Sequence, residues 1–402
     1  MVYTLVFEFI PQPFSTLVPN VETAEVVVFL PEATDWREFV EGVETCERRG
    51  ILRVLHRNAS EFTLGPPQGD LRLRLIWNST GGLRGTRDQV SELTRRARPP
   101  IAMIGSTTSI LTVALARQLK EETRAGDASS SIPLLLIPWA TTVMVEKDDP
   151  TEGPVALLDI YPGRSFRFCP NNRREADFLV DCVVETTSLK TLPRRAYLVV
   201  DRKDPYSTDM ADAFRHSIAR AAPEVEIIEE PKAVSGQSSP ETPSPSEHAL
   251  AAEIWTELAK STTTEPTWVI LPLQAEPCRR MLAALSIHAR KIDHPKKSLF
   301  VLCGDGIGIE ELSDYATKPE FPIWCVSSGV APNRAAVSTA PAKVPAEIIT
   351  SLIIALENCR KSRLSTESLR QSFISMDLVD SDPRAFGRAI AFVASGERKG
   401  GG

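Results

Sequence analysis

Long hydrophobic runs are missing from this 402-residue chain. The longest apolar stretch, Ile132 to Val145, is broken by two prolines and a pair of threonines, too short and too interrupted to cross a bilayer. An excess of positive charge is missing too. Lys and Arg number 46 against 52 Asp and Glu, the formal net charge is −6, and the cations are scattered, so no basic face for phosphate neutralisation is expected and nucleic acid is excluded as a partner. The seven cysteines (Cys46, Cys169, Cys182, Cys278, Cys303, Cys325, Cys359) contain no C-x-x-C pair, which argues against a disulfide framework or a zinc site and for free buried thiols. Five histidines, His56, His216, His248, His288 and His294, show no ligand spacing, and neither a G-x-S-x-G elbow nor a phosphate-cradling lysine loop occurs. No catalytic residue, metal or cofactor is therefore assigned. Met1 to Asn20 has no basic start and carries Glu8 and two prolines, Pro11 and Pro13, inside its apolar part, a poor secretory signal that makes the chain read as cytoplasmic. On that reading the sequons at Asn58 and Asn78 arise by chance.

What is present is an ordinary globular composition, 42% hydrophobic and 24% charged, at a length that suits two or three domains of roughly 150 residues. Short β-branched runs alternate with amphipathic stretches, the pattern of βα units around parallel sheets. Strands are predicted at Val26–Leu30, Leu71–Trp77, Ile101–Ile104 and Leu134–Pro138, with helices at Trp36–Arg49, Gln89–Arg98 and Leu111–Glu122. A second series follows. Its helices are Arg173–Glu185, Met210–Ala221, Ala249–Lys260 and Pro277–Ala289; its strands are Ala196–Val200, Val225–Ile228, Trp268–Leu273, Leu299–Cys303 and Ile323–Ser327. A long helix, Ala346–Cys359, and a late strand, Ala389–Val393, close the chain, and the Pro/Ser-rich Lys232–Glu247 reads as an exposed loop.

Open parallel sheets bind ligands beyond the carboxyl ends of their strands, which directs attention to four turns. Gly105, Ser106, Thr107, Thr108 and Ser109 crowd hydroxyls at a helix start, suited either to a carboxylate or simply to N-capping. Ala140, Thr141 and Thr142 offer carbonyls and hydroxyls at the same edge, or ordinary turn chemistry. Asp204, Pro205, Tyr206 and Ser207 read as a type I turn whose Tyr206 is either a lid or an exposed patch. Gly304 to Gly308 invites a dinucleotide reading, but the third glycine falls at Ile309, and Trp324 to Ser327 stand where the acid is expected. The simpler use is a tight turn presenting Asp305 to an ammonium group.

Taken together, the Ala102–Ser109 run, Ile132, Pro133, the Ala140–Thr141 turn, Ser165–Arg167, the Asp204–Ser207 turn and the Gly304–Asp305–Gly306 turn resemble type I periplasmic binding proteins, most of all the branched-chain amino acid receptors. Ala389 to Arg398 resembles that family's closing strand. The resemblance covers about residues 21 to 400. It implies an α/β, two-lobed fold, each lobe a mainly parallel sheet flanked by helices, joined by a multi-strand hinge. The implied division is an N-terminal extension over 1–20, a first lobe over 21–166 and a second over 167–328 containing the 232–247 loop. Residues 329–376 would return to the first lobe, and 377–402 would lie at the hinge and second lobe. By the same resemblance Thr108 and Ser109 would take a ligand carboxylate, Ala140 and Thr141 would add a carbonyl and a hydroxyl, Asp305 would meet the amine, and Tyr206 would close from the second lobe. Pro31, Glu32, Asp35 and Trp36 stand where the family has small residues, which puts Trp36 at the inner wall.

The implied function is a non-enzymatic receptor closing on an amino-acid-like or amide-like solute, working with an ABC permease or a signalling partner. The resemblance also implies a periplasmic or extracytoplasmic location, against the cytoplasmic reading of the N-terminus. Two other readings stand beside it: a nucleotide-dependent enzyme using the Gly304–Gly308 turn, and a sensory scaffold that binds no ligand.

Overall fold

The computed structural model describes residues 23–31, 33–79, 82–125, 132–147, 151, 153–185, 192–230, 242–260, 266–291, 299–307, 321–326, 343–359, 365–378 and 390–391. Met1 to Asn20, Gly308 and most of the predicted 232–247 loop lie outside them.

The first half runs β1 (Thr23–Phe29), α1 (Ala33–Arg48), β2 (Arg53–Arg57), β3 (Glu61–Gly65), β4 (Arg72–Asn78), α2 (Gly82–Thr94), β5 (Ala102–Ile104), α3 (Ser109–Ala125), β6 (Leu134–Ile137), β7 (Met144–Val145), β8 (Val155–Ala156), α4 (Leu157–Ile160) and β9 (Ser165–Arg167). The second runs α5 (Asn172–Glu185), β10 (Arg195–Val199), α6 (Pro205–Ala221), β11 (Glu226–Glu230), α7 (Pro245–Lys260), β12 (Thr267–Leu271), α8 (Ala275–Ala289), β13 (Leu299–Cys303) and β14 (Ile323–Cys325). Two helices, α9 (Lys343–Cys359) and α10 (Thr366–Ser375), and the strands β15 (Asp377–Leu378) and β16 (Ile390–Ala391) follow.

Seven strands form the first sheet in the order β2-β3-β4-β1-β5-β6-β9, and five form the second in the order β11-β10-β12-β13-β14. From β4 to β9 the first sheet is parallel, as is the whole of the second. Both therefore need helices on both faces, and each face has its own core. In the first lobe, Val26, Val28, Leu73 and Leu75 look toward α1, α9 and α10, whereas Val27, Phe29 and Met103 look toward α2, α3 and α4. In the second, Val269 and Val301 face α7 and α8, while Trp268 and Ile270 face α5 and α6.

Helix α1 buries Phe39, Val43 and Cys46 at helical spacing. Its Gly42 permits close approach to α9: a Cβ there would lie 2.8 Å from Pro345 Cβ, and the Cys46 thiol donates to the Ala346 carbonyl at 3.4 Å.

Several elements differ from the sequence-based prediction: α2 begins at Gly82 rather than Gln89, α6 at Pro205 rather than Met210, and β7, β8, α4 and α10 were not foreseen. The antiparallel β2–β3 hairpin on the edge of the first sheet was not foreseen, because β2 is nearly all exposed and carries two arginines and a histidine in five residues, a composition that protects a sheet edge but hides the strand. Helix α7 begins at Pro245, inside the predicted loop. There the Ser244 hydroxyl accepts from the Glu247 amide at 3.2 Å, and the Glu247 carboxylate accepts from the Ser244 amide at 2.6 Å. This reciprocal capping box, with proline at the first helical position, starts the helix four residues early.

Candidate functional site

Helices α5 and α6 of the second lobe aim their N-termini at the carboxyl edge of the first sheet. The chain enters α5 directly from β9, and the Asn172 amide donates to the Thr141 carbonyl at 2.9 Å. The Asn172 side chain donates to Asp209 at 2.8 Å and to the Tyr206 carbonyl at 3.5 Å. Asp209, on α6, accepts from the Val143 and Met144 amides of the first lobe, both at 2.8 Å. One buried carboxylate thus latches the lobes through two backbone donors. Beneath it Arg167, 1% exposed, donates to the Thr142 carbonyl at 2.6 Å and the Thr141 carbonyl at 3.5 Å.

Around this seam lie polar atoms that the fold does not use. The hydroxyls of Ser106, Thr108 and Thr142 and the amide oxygen of Asn172 are buried and have no hydrogen-bond partner among the described residues. A buried polar atom left so is costly and calls for an explanation. Because β5 and β6 are neighbours in the sheet, the 106–109 and 140–142 turns share one edge, and α3 adds the positive end of a long helix. Thr112 ties the first turn down by donating to the Ser106 carbonyl at 3.4 Å.

The second lobe contributes acids. Glu175, 3% exposed in the first turn of α5, faces Asp305. Burial raises the Glu175 pKa well above the usual carboxylate range, the Asp305 charge and hydrogen bond raise it further, and Arg167 opposes them. Burial beside a second carboxyl thus favours the neutral, protonated form of Glu175. The Tyr206 phenol accepts from the Gly306 amide at 2.8 Å, and burial, then Asp305 and Glu175, keep it un-ionised. This contact explains the glycines. A Cβ at Gly304 would collide with the Tyr206 hydroxyl and Met210, and one at Gly306 with the Leu273 carbonyl. The room in the Gly304–Gly306 turn is taken by a phenol, which does not favour a dinucleotide phosphate there.

Of the residues singled out by sequence, Thr108, Ser109, Ala140 and Thr141 line the edge of the first lobe, and Tyr206 and Asp305 meet in the second. Asn172 links the two groups by touching both the Thr141 and Tyr206 backbones. The Tyr206 ring packs in the second-lobe core. Trp36 stands apart: it stacks on Trp77 with centroids 6.0 Å apart, and its indole N–H donates to the Ala59 carbonyl at 2.9 Å. Sequence reasoning missed Asn172, Glu175 and Asp209. Each lies on a helix where a polar residue looks solvent-facing, so the only available signal was their nearness to helix starts.

Asp204 caps α6, accepting from the Tyr206 amide at 3.1 Å. Burial pushes its pKa up to about 6, against hydrogen bonds from the Tyr206 amide and the Gln274 side chain. A folded-state pKa above the unfolded one means the folded protein holds the proton longer. Stability is therefore lost as pH rises from about 4 to about 6. Asparagine caps as well as aspartate, so Asp204→Asn should be more stable than the parent by on the order of 2 kcal/mol at pH 7. That advantage should vanish near pH 4, as urea unfolding at the two pH values can check.

Neither a protein-family model nor a curated protein sequence matches the chain. Solved structures do. A leucine-, isoleucine-, valine-, threonine- and alanine-binding protein from Brucella ovis in its closed conformation superposes with a TM-score of 0.62 at 12% identity, covering 94% of this chain and 87% of that one. A branched-chain amino acid ABC transporter protein from Thermus thermophilus with bound valine gives 0.60 at 11% identity, covering 94% and 91%. An ABC transporter substrate-binding protein from Desulfitobacterium hafniense in complex with Leu gives 0.58 at 15% identity, covering 94% and 95%. These likenesses establish the fold: the chain has the two-lobed α/β architecture of type I periplasmic binding proteins.

Proposed function

We propose that this chain is a non-enzymatic receptor that encloses a small amino-acid-like or amide-like solute between its lobes, for delivery to an ABC permease or a signalling partner. The observation that carries the reading is the set of unused buried polar atoms along the seam, the Ser106, Thr108 and Thr142 hydroxyls and the Asn172 oxygen. Hydroxyls at the start of α3 suit a carboxylate. On the other side Glu175 and Asp305 suit an ammonium group, whose charge would let both acids ionise. The fold shared with amino-acid-binding proteins supports the same class of solute, and the phenol filling the Gly304–Gly306 turn speaks against a nucleotide-dependent enzyme.

Calorimetric titration with the common L-amino acids and their amides, with NAD and NADP as comparison, tests this. At least one amino acid or amide should bind one to one. Thr108→Val and Thr142→Val, which keep shape and lose the hydroxyl, should each weaken it tenfold or more, about 1.4 kcal/mol, with little change in Tm. An amine-bearing solute should also displace the proton held by Glu175, seen as a binding heat that varies with the ionisation enthalpy of the buffer. Binding of the nucleotides alone, or full affinity in both valine variants, would refute the reading.

A further inference from the structure

A second candidate site lies between the lobes, next to the Asp204–Ser207 turn and the first turns of α3. It is a cavity of about 310 Å³ bounded by one face of α2 and α3, the segment following β7, and the 202–208 turn of the second lobe. Five cations line it. Arg87, Arg117 and Lys147 come from the first lobe, and Arg202 and Lys203 from the second. Glu146 is the one acid among the described lining residues, and its backbone carbonyl, not its carboxylate, is recorded as receiving Arg117. Arg202 is paired with Glu229, and Arg117 and Lys147 are engaged in interactions of their own, but Arg87 and Lys203 have no ion-pair partner among the described residues. Apart from Thr208 the rest of the lining is apolar, chiefly Leu83, Ile110, Val113, Val145 and Pro205, and Leu83 and Ile110 are 43% and 38% exposed.

Arg87 of the first lobe and Lys203 of the second are like charges on one cavity that oppose the latched arrangement, and an anion placed between them removes that opposition. Apolar side chains with a few convergent charges are the lining expected of a small-molecule site. We infer that this cavity binds a small organic anion, an apolar body carrying a doubly charged group such as a phosphate ester, and that the anion bridges the two lobes. The inference does not depend on the identity of the solute at the Thr108–Thr142 seam, none of whose unused hydroxyls lines this cavity.

Phenyl phosphate is a suitable probe and inorganic phosphate its comparison, both titrated calorimetrically at ionic strength held constant with sodium chloride. Phenyl phosphate should bind saturably with one site and at least fivefold more tightly than inorganic phosphate, because only the ester uses the apolar wall. Arg87→Gln/Lys203→Gln alters two exposed side chains and should keep the parental Tm while weakening phenyl phosphate at least tenfold. No saturable binding above the salt control, equal affinity in the double variant, or equal affinity for the two phosphates would each overturn the inference.

Discussion

Asp209→Ala is expected to accelerate hydrogen exchange at the Val143 and Met144 amides by two orders of magnitude or more. Both amides donate to the Asp209 carboxylate at 2.8 Å across the lobe boundary. Hydrogen bonds to a charged group contribute about 1.5–3 kcal/mol each. Losing two makes separation of the lobes easier by roughly 3–6 kcal/mol, which is the free energy that exchange reads when opening limits it. The Leu135 amide, held inside the first lobe by the Arg164 carbonyl at 2.9 Å, should be unaffected. Asp209→Asn keeps an acceptor oxygen and should fall between. Unchanged exchange in the alanine variant would show that the carboxylate holds nothing together.

The second large effect concerns stability rather than closure. Arg280 and Glu247 form an ion pair at 2.9 Å with side chains 2% and 1% exposed. Removing one partner of a buried pair strands the other, at about 3–5 kcal/mol. Arg280→Ala should lose that amount in urea unfolding, and the loss should appear first at the start of α7, because the other Glu247 oxygen caps that helix through the Ser244 amide. Replacing both partners, as Glu247→Gln with Arg280→Met, should recover much of it, since no uncompensated charge then remains. A loss below about 1 kcal/mol in the single variant would mean that water reaches the pair.

Much of the fold was legible because its strands are buried on both faces and so read as continuous apolar runs, such as Val26–Phe29 and Leu134–Ile137. Where that condition fails, legibility fails with it. The edge strand β2 carries Arg53, His56 and Arg57 toward solvent and looks like a loop. The start of α7 looked like one because proline and serine were read as breakers, although Ser244, Pro245 and Glu247 in that order also spell a helix start. The turns of the candidate site were found from a topological rule, since ligands gather where parallel strands end. The residues inside the seam were not. Asp209 occupies a position on α6 that would be an ordinary solvated acid in an isolated helix, and only the approach of β7 turns it into a latch. Glu175 is similar: the charges that act on it are those of Arg167 and of Asp305, which is 130 residues away in sequence. Tyr206 shows the limit differently. An aromatic in a turn can face out or in, and the glycines at 304 and 306 decide this by leaving room for the phenol.

The claim on which the rest depends is that a solute in the seam holds the two lobes together. Hydrogen exchange at Val143 and Met144, compared with and without a mixture of the common L-amino acids and their amides, measures it directly, because those two protons are shielded by the opposite lobe. Slower exchange there with the mixture, and unchanged exchange at Leu135, is the result expected. Exchange at Val143 and Met144 that the mixture leaves unchanged, or protection confined to one lobe, would contradict it.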